Sequence, residues 1–275
     1  MWQTYRVGTQ NYLYHPSRMM LVDCGPGKDQ ARKLKRAAGE IRAILLTHAH
    51  ADHYGGMPYL LSVFPQLTIL VDPRETPFLR DPVLEPALLF GGLPPQALSG
   101  PFLLGPGNLP FQELHPALFP EIEFLHLPGH TPGLLGIAMD ETLFTSDALF
   151  GLEIVEKYPI LYHFNPEEAL QTLRSLPEHF TTFLPAHGSQ GGKELLQVNI
   201  NALERVFEIL TDTVSQRTVP LETLLRNTMA SLSPVKTLDH YFLNRSALLG
   251  YVSALERRGA ITLELRDGEI LVYRS

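Results

Sequence analysis

The sequence predicts a mixed α/β protein with a smaller helical unit at its C-terminal end. Two observations lead there. Up to Gly192, short aliphatic runs alternate with segments of helical period. Beyond it, three longer segments with apolar residues at i, i+3 and i+4 precede two β-rich runs around Asp267-Gly268, a hairpin signal. A chain of 275 residues suits one large domain with an appendage, and the division falls into 1–192 and 193–275. Its 44% hydrophobic and 19% charged content excludes wholesale disorder.

Each element has its own signal. Residues 19–23 form a buried-strand run stopped by Gly25-Pro26-Gly27. A basic amphipathic helix follows over 29–38, with Gly39 as its stop. Residues 41–47 predict a second strand that ends where the histidines begin. Residues 54–64 predict a helix and 67–71 a third strand. From 72 to 120 the period is lost, apart from a helical piece over 84–90. Such an insert inside a domain is usually functional. Its Phe78, Leu88, Leu89, Phe90, Leu93, Phe102, Leu103 and Phe111 predict either a packing embellishment or a lid with an apolar wall for acyl groups. Strands return at 121–127, 134–139, 142–146 and 181–185, with a helix at 166–176. Helices at 195–210, 221–229 and 239–258, then strands at 261–265 and 270–273, together suggest a winged-helix-like unit.

Composition narrows the function. Cys24 is the one cysteine, so no internal disulfide forms and a reducing compartment is expected. The first residues lack the charged-then-apolar layout of a signal peptide, and no run reaches the length of a membrane span. A cytoplasmic protein with no membrane partner is the expectation. The net charge of −7 gives no general attraction for nucleic acid. From residue 195 onward nine Lys and Arg face nine Asp and Glu, which favours packing or homodimerisation over DNA reading.

The chemistry lies in Thr47-His48-Ala49-His50-Ala51-Asp52-His53. Imidazoles and carboxylates are natural ligands of Zn²⁺ and similar ions. His48 and His50, one residue apart in extended chain, project the same way and can share one ion. Asp52 and His53 can address a second. A cluster of imidazoles in an apolar core would otherwise sit desolvated and unpaired.

This HxHxDH run resembles the signature of the metallo-β-lactamase superfamily. Further segments match in the same order: Asp23 in Leu-Val-Asp-Cys-Gly, His130 in Pro-Gly-His-Thr-Pro-Gly, Asp147 in Ser-Asp-Ala-Leu-Phe, and His187 in Pro-Ala-His-Gly. The resemblance implies a four-layer αββα sandwich with metals at one edge between two sheets. It implies that His48, His50 and His130 bind one ion, Asp52, His53 and His187 a second, and Asp147 both. Asp23 would hold the histidine loop by hydrogen bonds. Zinc is the expected metal, with iron or manganese as alternatives.

The implied activity is hydrolysis of a small ester, thioester or lactone by metal-bound hydroxide, with Asp52 and Asp147 central to the chemistry. Asp147 stands where dinuclear β-lactamases use cysteine, and the wording around His130 and Asp147 leans toward glyoxalase II-like thioesterases. The C-terminal unit resembles instead the tail of the lactamase-B2-like group, which keeps a phosphodiesterase or ribonuclease as the alternative. An iron-dependent oxidative role and a non-catalytic role are further alternatives. Lys157, Tyr158, Tyr162 and His163, expected in a loop, are candidate donors to a developing oxyanion. His15, His115, His126, His179 and His240 match no motif and are expected to be structural or superficial, and Cys24 a small buried strand residue.

Overall fold

The computed structural model describes residues 1–232 and 235–275. Strands β1 (Gln3–Val7), β2 (Gln10–His15), β3 (Met20–Val22), β4 (Ala43–Leu46), β5 (Thr68–Val71) and β6 (Phe111–Glu113) form one sheet in that spatial order. The pairs β1–β2 and β2–β3 are antiparallel; those from β3 to β6 are parallel. β3, β4 and β5 read MLV, AILL and TILV because both of their faces are covered, the condition under which strands lose polar alternation.

Helices α1 (Lys28–Ala38), α2 (Ala51–Tyr54) and α3 (Met57–Val63) follow the early strands. Ala31 and Leu34 of α1, with Met57 and Leu60 of α3, share an apolar cluster with Leu21, Ile44 and Ile69. The helix expected over 54–64 is broken at Gly55 and Gly56 for a steric reason. A Cβ on Gly55 would lie 2.2 Å from the Pro26 carbonyl oxygen, and one on Gly56 would lie 2.6 Å from that of Cys24. The glycine pair lets α2 and α3 press onto the loop after β3. Cys24 is fully buried in that loop, its amide bonded to the His53 carbonyl at 2.8 Å.

The insert contains α4 (Thr76–Arg80), α5 (Leu84–Phe90) and three single 3-10 turns, and it returns to the first sheet as β6. The second sheet comprises β7 (Phe124–His126), β8 (Leu135–Met139), β9 (Thr142–Ser146) and β10 (Thr182–Pro185), in the order β10-β9-β8-β7. Leu13, Val22, Leu45 and Leu70 of the first sheet meet Leu135, Ile137, Phe144 and Leu184 of the second in a shared cluster. The outer face of the second sheet is covered by α7 (Pro166–Arg174) and α8 (Lys193–Gln216), while α6 (Leu152–Lys157) follows β9. Helices, sheet, sheet and helices therefore stack as the four layers expected.

α7 starts where Asn165 accepts the Glu168 amide at 3.2 Å and Pro166 occupies the first turn. Along α8 the buried positions 195, 199, 203, 206 and 210 follow the helical period. β11 (Val219–Pro220), α9 (Leu221–Leu232), α10 (Leu238–Arg257), β12 (Ile261–Arg266) and β13 (Glu269–Arg274) complete the chain, with a sheet ordered β11-β13-β12. One apolar cluster runs from Leu143 and Phe183 through Leu203 and Tyr251 to Val272, joining these elements to the second sheet. Among the described residues no helix is long and apolar enough to cross a membrane.

Candidate metal centre

The parallel strands β3, β4 and β5 present their C-terminal ends at one edge of the first sheet, and β9 and β10 do so in the second. The two edges are stitched together. Leu135 donates its amide to Thr47 O at 3.0 Å, and Asn11 donates its amide to Ala186 O at 2.8 Å. Loops leaving these ends carry Asp23, His48, His50, Asp147 and His187, and the short helix α2 that follows β4 carries Asp52 and His53. His130 sits on the turn between β7 and β8. Ligands gather at such strand ends in open α/β sheets for the same reason: chain reversal frees side chains there.

Seven side chains converge. The ligand atoms of His48, His50 and His130 lie within 4.8 Å of one another, as do those of His48, His53 and Asp147, and those of Asp52, His53 and His187. Asp147 Oδ2 stands between the groups, 3.5 Å from His53 Nε2, 3.5 Å from His187 Nε2 and 3.6 Å from His130 Nε2. His187 Nε2 is 3.2 Å from Asp52 Oδ2, and His130 Nε2 is 2.9 Å from His50 Nδ1. The other carboxylate oxygen of Asp147 is buried without a hydrogen-bond partner.

Three of the rings are held from behind. His48 Nδ1 lies 3.1 Å from Thr47 Oγ1, His53 Nδ1 lies 2.8 Å from Asp23 Oδ2, and His130 Nδ1 lies 2.8 Å from the Tyr162 carbonyl. Such contacts fix the ring's tautomer and leave the opposite nitrogen for the cluster. Asp23 also accepts the Thr47 amide and hydroxyl at 2.9 and 2.8 Å. Asp23 and Ser146 both hold left-handed backbone, with φ of 58° and 48°, conformations that cost energy and gather at functional sites.

Several residues that hold this site carried no motif. Glu75, wholly buried, accepts the Ala49 amide at 2.9 Å and the Gly133 amide at 2.7 Å, tying the histidine loop to the turn that carries His130. Glu85 accepts the Ala51 amide at 2.9 Å. Gln10 Nε2 donates to the Asp52 carbonyl at 3.3 Å, and Gln10 Oε1 accepts from the Tyr12 hydroxyl at 2.6 Å. Asn11 Nδ2 bonds Pro185 O and Gly188 O, gripping the His187 loop. Asn199 makes a two-way bond with the Phe150 backbone at 2.9 and 2.8 Å, which anchors the segment after Asp147. The one available signal was an acidic side chain inside an apolar stretch, as in Leu84-Glu85-Pro86-Ala87-Leu88-Leu89. Glu75→Ala is expected to cost about 2–4 kcal/mol, because two buried amides lose their acceptor. The urea midpoint measures this, and an unchanged midpoint would contradict it.

Electrostatics divide the rings into two sets. Burial, reinforced by neighbouring rings, pushes His48 well down; burial lowers His50 to about 4 and His130 to about 3. Burial also disfavours charge on His53 and His187, but Asp147 and Asp52 outweigh it and raise both. Burial works against the Asp147 carboxylate as well. The charges of His187 and His53 overcome that and hold it below the usual range. Glu85 is pushed well up by burial and then by the Asp52 charge.

Five side chains of the cluster, His50, Asp52, His130, Asp147 and His187, border a cavity of about 710 Å³. Leu89, Phe102 and Leu103 of the insert border it; Leu93 is exposed, while Phe78 packs on the first sheet's outer cluster. Lys157 and Tyr158 also border it, but Lys157 ends helix α6 rather than lying in a loop. Tyr162 borders it too. His163 does not; it is buried 5.6 Å from the His130 ring, with neither of its own nitrogens bonded. His240, expected to be structural or superficial, borders the cavity and stacks edge-on with Tyr158 at 5.4 Å.

Comparison with known proteins agrees with this geometry. A hydroxyacylglutathione hydrolase of Vibrio parahaemolyticus is 31% identical over 183 residues, covering 63% of this chain. A protein of the same name from Aeromonas hydrophila is 29% identical over 174 residues, covering 61%. The chain spans 60% and 58% of those proteins' lengths. Among solved structures, a metallo-beta-lactamase family protein from Thermus thermophilus superposes with a TM-score of 0.71 at 18% identity, covering 100% of this chain and 98% of that one. A beta-lactamase domain protein from Burkholderia ambifaria gives 0.69 at 15% identity, covering 100% and 91%. Both show the same fold. The family model of the metallo-beta-lactamase superfamily matches residues 5–183, the span that builds most of both sheets and holds six of the seven converging side chains, and the chain belongs to that superfamily.

Proposed function

We propose that the protein is a metal-dependent hydrolase of an ester, thioester or lactone, with two divalent ions at the His/Asp edge. His48, His50 and His130 would hold one, Asp52, His53 and His187 the other, and Asp147 both. The donor set fits: imidazole and carboxylate suit zinc, iron or manganese, and the unpartnered Asp147 oxygen is an atom that a cation satisfies. Bound there, such ions supply an acidified water and polarise a carbonyl oxygen.

The chain's own residues do the rest. Asp147 places negative charge between the two ligand groups. Asp52, whose backbone carbonyl accepts from Gln10 Nε2 and whose carboxylate lies 3.2 Å from His187 Nε2, would orient the attacking water and accept its proton. The apolar cavity walls hold an acyl group beside it and exclude bulk water. The convergence of five imidazoles and two carboxylates, of which His50, His130, His187, Asp52 and Asp147 border a largely apolar cavity, carries the reading. The relatives named hydroxyacylglutathione hydrolase support a thioester within this class.

Elemental analysis paired with turnover of acyl thioesters and of bis-p-nitrophenyl phosphate tests it. Bound metal with thioester turnover, abolished by chelation and restored by metal, is the expected result. Phosphodiester turnover without thioester turnover would overturn it. Affinity for the ions should also rise with pH. The raised His53 and His187 keep protons that a cation must displace, so uptake releases protons and acid opposes it. A pH-independent affinity measured by competition with a chelator would speak against these two as ligands.

A further inference from the structure

The cavity has a second recognition element, on the C-terminal helix. Asn244 of α10 borders the cavity and is 2% exposed, and its side-chain Nδ2 has no hydrogen-bond partner. A buried amide N–H without an acceptor is costly and rare, so each instance calls for an explanation. The cavity that it borders is apolar over most of its lining, including Leu89 and Leu103 from the insert, Leu161, and Leu243 from α10 itself. Lys157, Lys236, Asp239 and His240 are also on its walls. Insert and helix are locked together, with Leu89, Leu98 and Leu103 packing against Phe242 and Leu243 and the Phe90 and Phe242 rings 5.4 Å apart. The C-terminal unit thus forms part of the roof over the His/Asp edge. Its balanced charges fit a wall better than a nucleic-acid surface.

We infer that the substrate's acyl chain lies between the insert and α10, and that Asn244 donates a hydrogen bond to an oxygen on that chain. The substrate class is an acyl ester, thioester or lactone whose apolar chain carries a keto, hydroxyl or amide oxygen besides the scissile carbonyl. This rests on the hydrolase reading only for which carbonyl sits at the His/Asp edge. Sites built to bond a polar substrate group discriminate strongly against analogues lacking it, since their own polar group is then left unpaired. An unadorned alkyl chain would leave the Asn244 amide as it stands.

The test is binding of product analogues to the metal-loaded protein by calorimetry: medium-length carboxylic acids with and without an oxo group on the chain. The wild-type protein is expected to favour the oxo acid by about tenfold, and Asn244→Leu, which removes the donor at similar volume, to lose that preference. Thermal melting of the variant checks that it folds. Leu243→Trp supplies an independent arm, because filling the wall should weaken long-chain acids about tenfold more than acetate. The same preference in wild type and Asn244→Leu, or no binding of either acid, would overturn the inference. Acid binding with the expected preference but no turnover of acyl thioesters, esters or lactones would uphold it and reject the hydrolase reading instead.

Discussion

Asp147→Ala is expected to lower kcat/KM for an acyl thioester, within the substrate class proposed above, by about a thousandfold or more, and to lower the metal content of the purified chain. The size follows from what one side chain does. Its Oδ2 is within 3.6 Å of three imidazole nitrogens drawn from both ligand groups. Its removal would take negative charge from between the two proposed cations and from three rings at once. Lewis-acid and nucleophile activation by such ions is worth several kcal/mol, and about 4 kcal/mol is a thousandfold in rate. Asp147→Asn separates charge from shape: it keeps the side chain's volume and one oxygen but loses the negative charge. It should fall nearly as far in rate while losing less metal. Wild-type metal content together with wild-type turnover in Asp147→Ala would refute the role assigned here.

What the sequence made legible follows from where its physics was local. β3, β4 and β5 could be read because burial on both faces leaves unbroken aliphatic runs. The histidine loop could be read because its ligand-type side chains are crowded into six positions. β2 is the opposite case. All six of its residues are buried, yet Gln10, Asn11 and His15 are polar. Asn11 is tolerated inside because Pro185 and Gly188, far along the chain, supply its acceptors. Glu75 and Glu85 were hidden for the same reason: a carboxylate is read as solvated until the amides it accepts are known. The break at Gly55-Gly56 depends on the approach of the Cys24–Pro26 loop, which has no signature within the helix itself. Asn244 belongs with these, since only the assembled roof shows that its amide is buried.

Asp23→Ala should be the most destabilising single change at the site that leaves every proposed metal ligand in place. The Asp23 carboxylate is buried and takes up the Thr47 amide, the Thr47 hydroxyl and His53 Nδ1, at 2.8 to 2.9 Å. Removing it strands the Thr47 amide and His53 Nδ1 in a buried site, at about 1–3 kcal/mol for each unsatisfied donor, while the Thr47 hydroxyl keeps Ser146 Oγ at 2.8 Å. Alanine also tolerates the local φ of 58° less well than aspartate, whose short polar side chain favours left-handed backbone. A loss of about 3–5 kcal/mol, read from the denaturant midpoint of the metal-free chain, is therefore expected. Metal affinity should fall about 10- to 100-fold as well, because the His53 ring loses the contact that sets its tautomer. Asp23→Asn tests the division between these effects. Its carbonyl oxygen can still accept the Thr47 amide, while its NH₂ cannot accept from His53, so stability should return further than metal affinity. Equal recovery of both would mean that Asp23 acts on the backbone alone and leaves the orientation of His53 to other contacts.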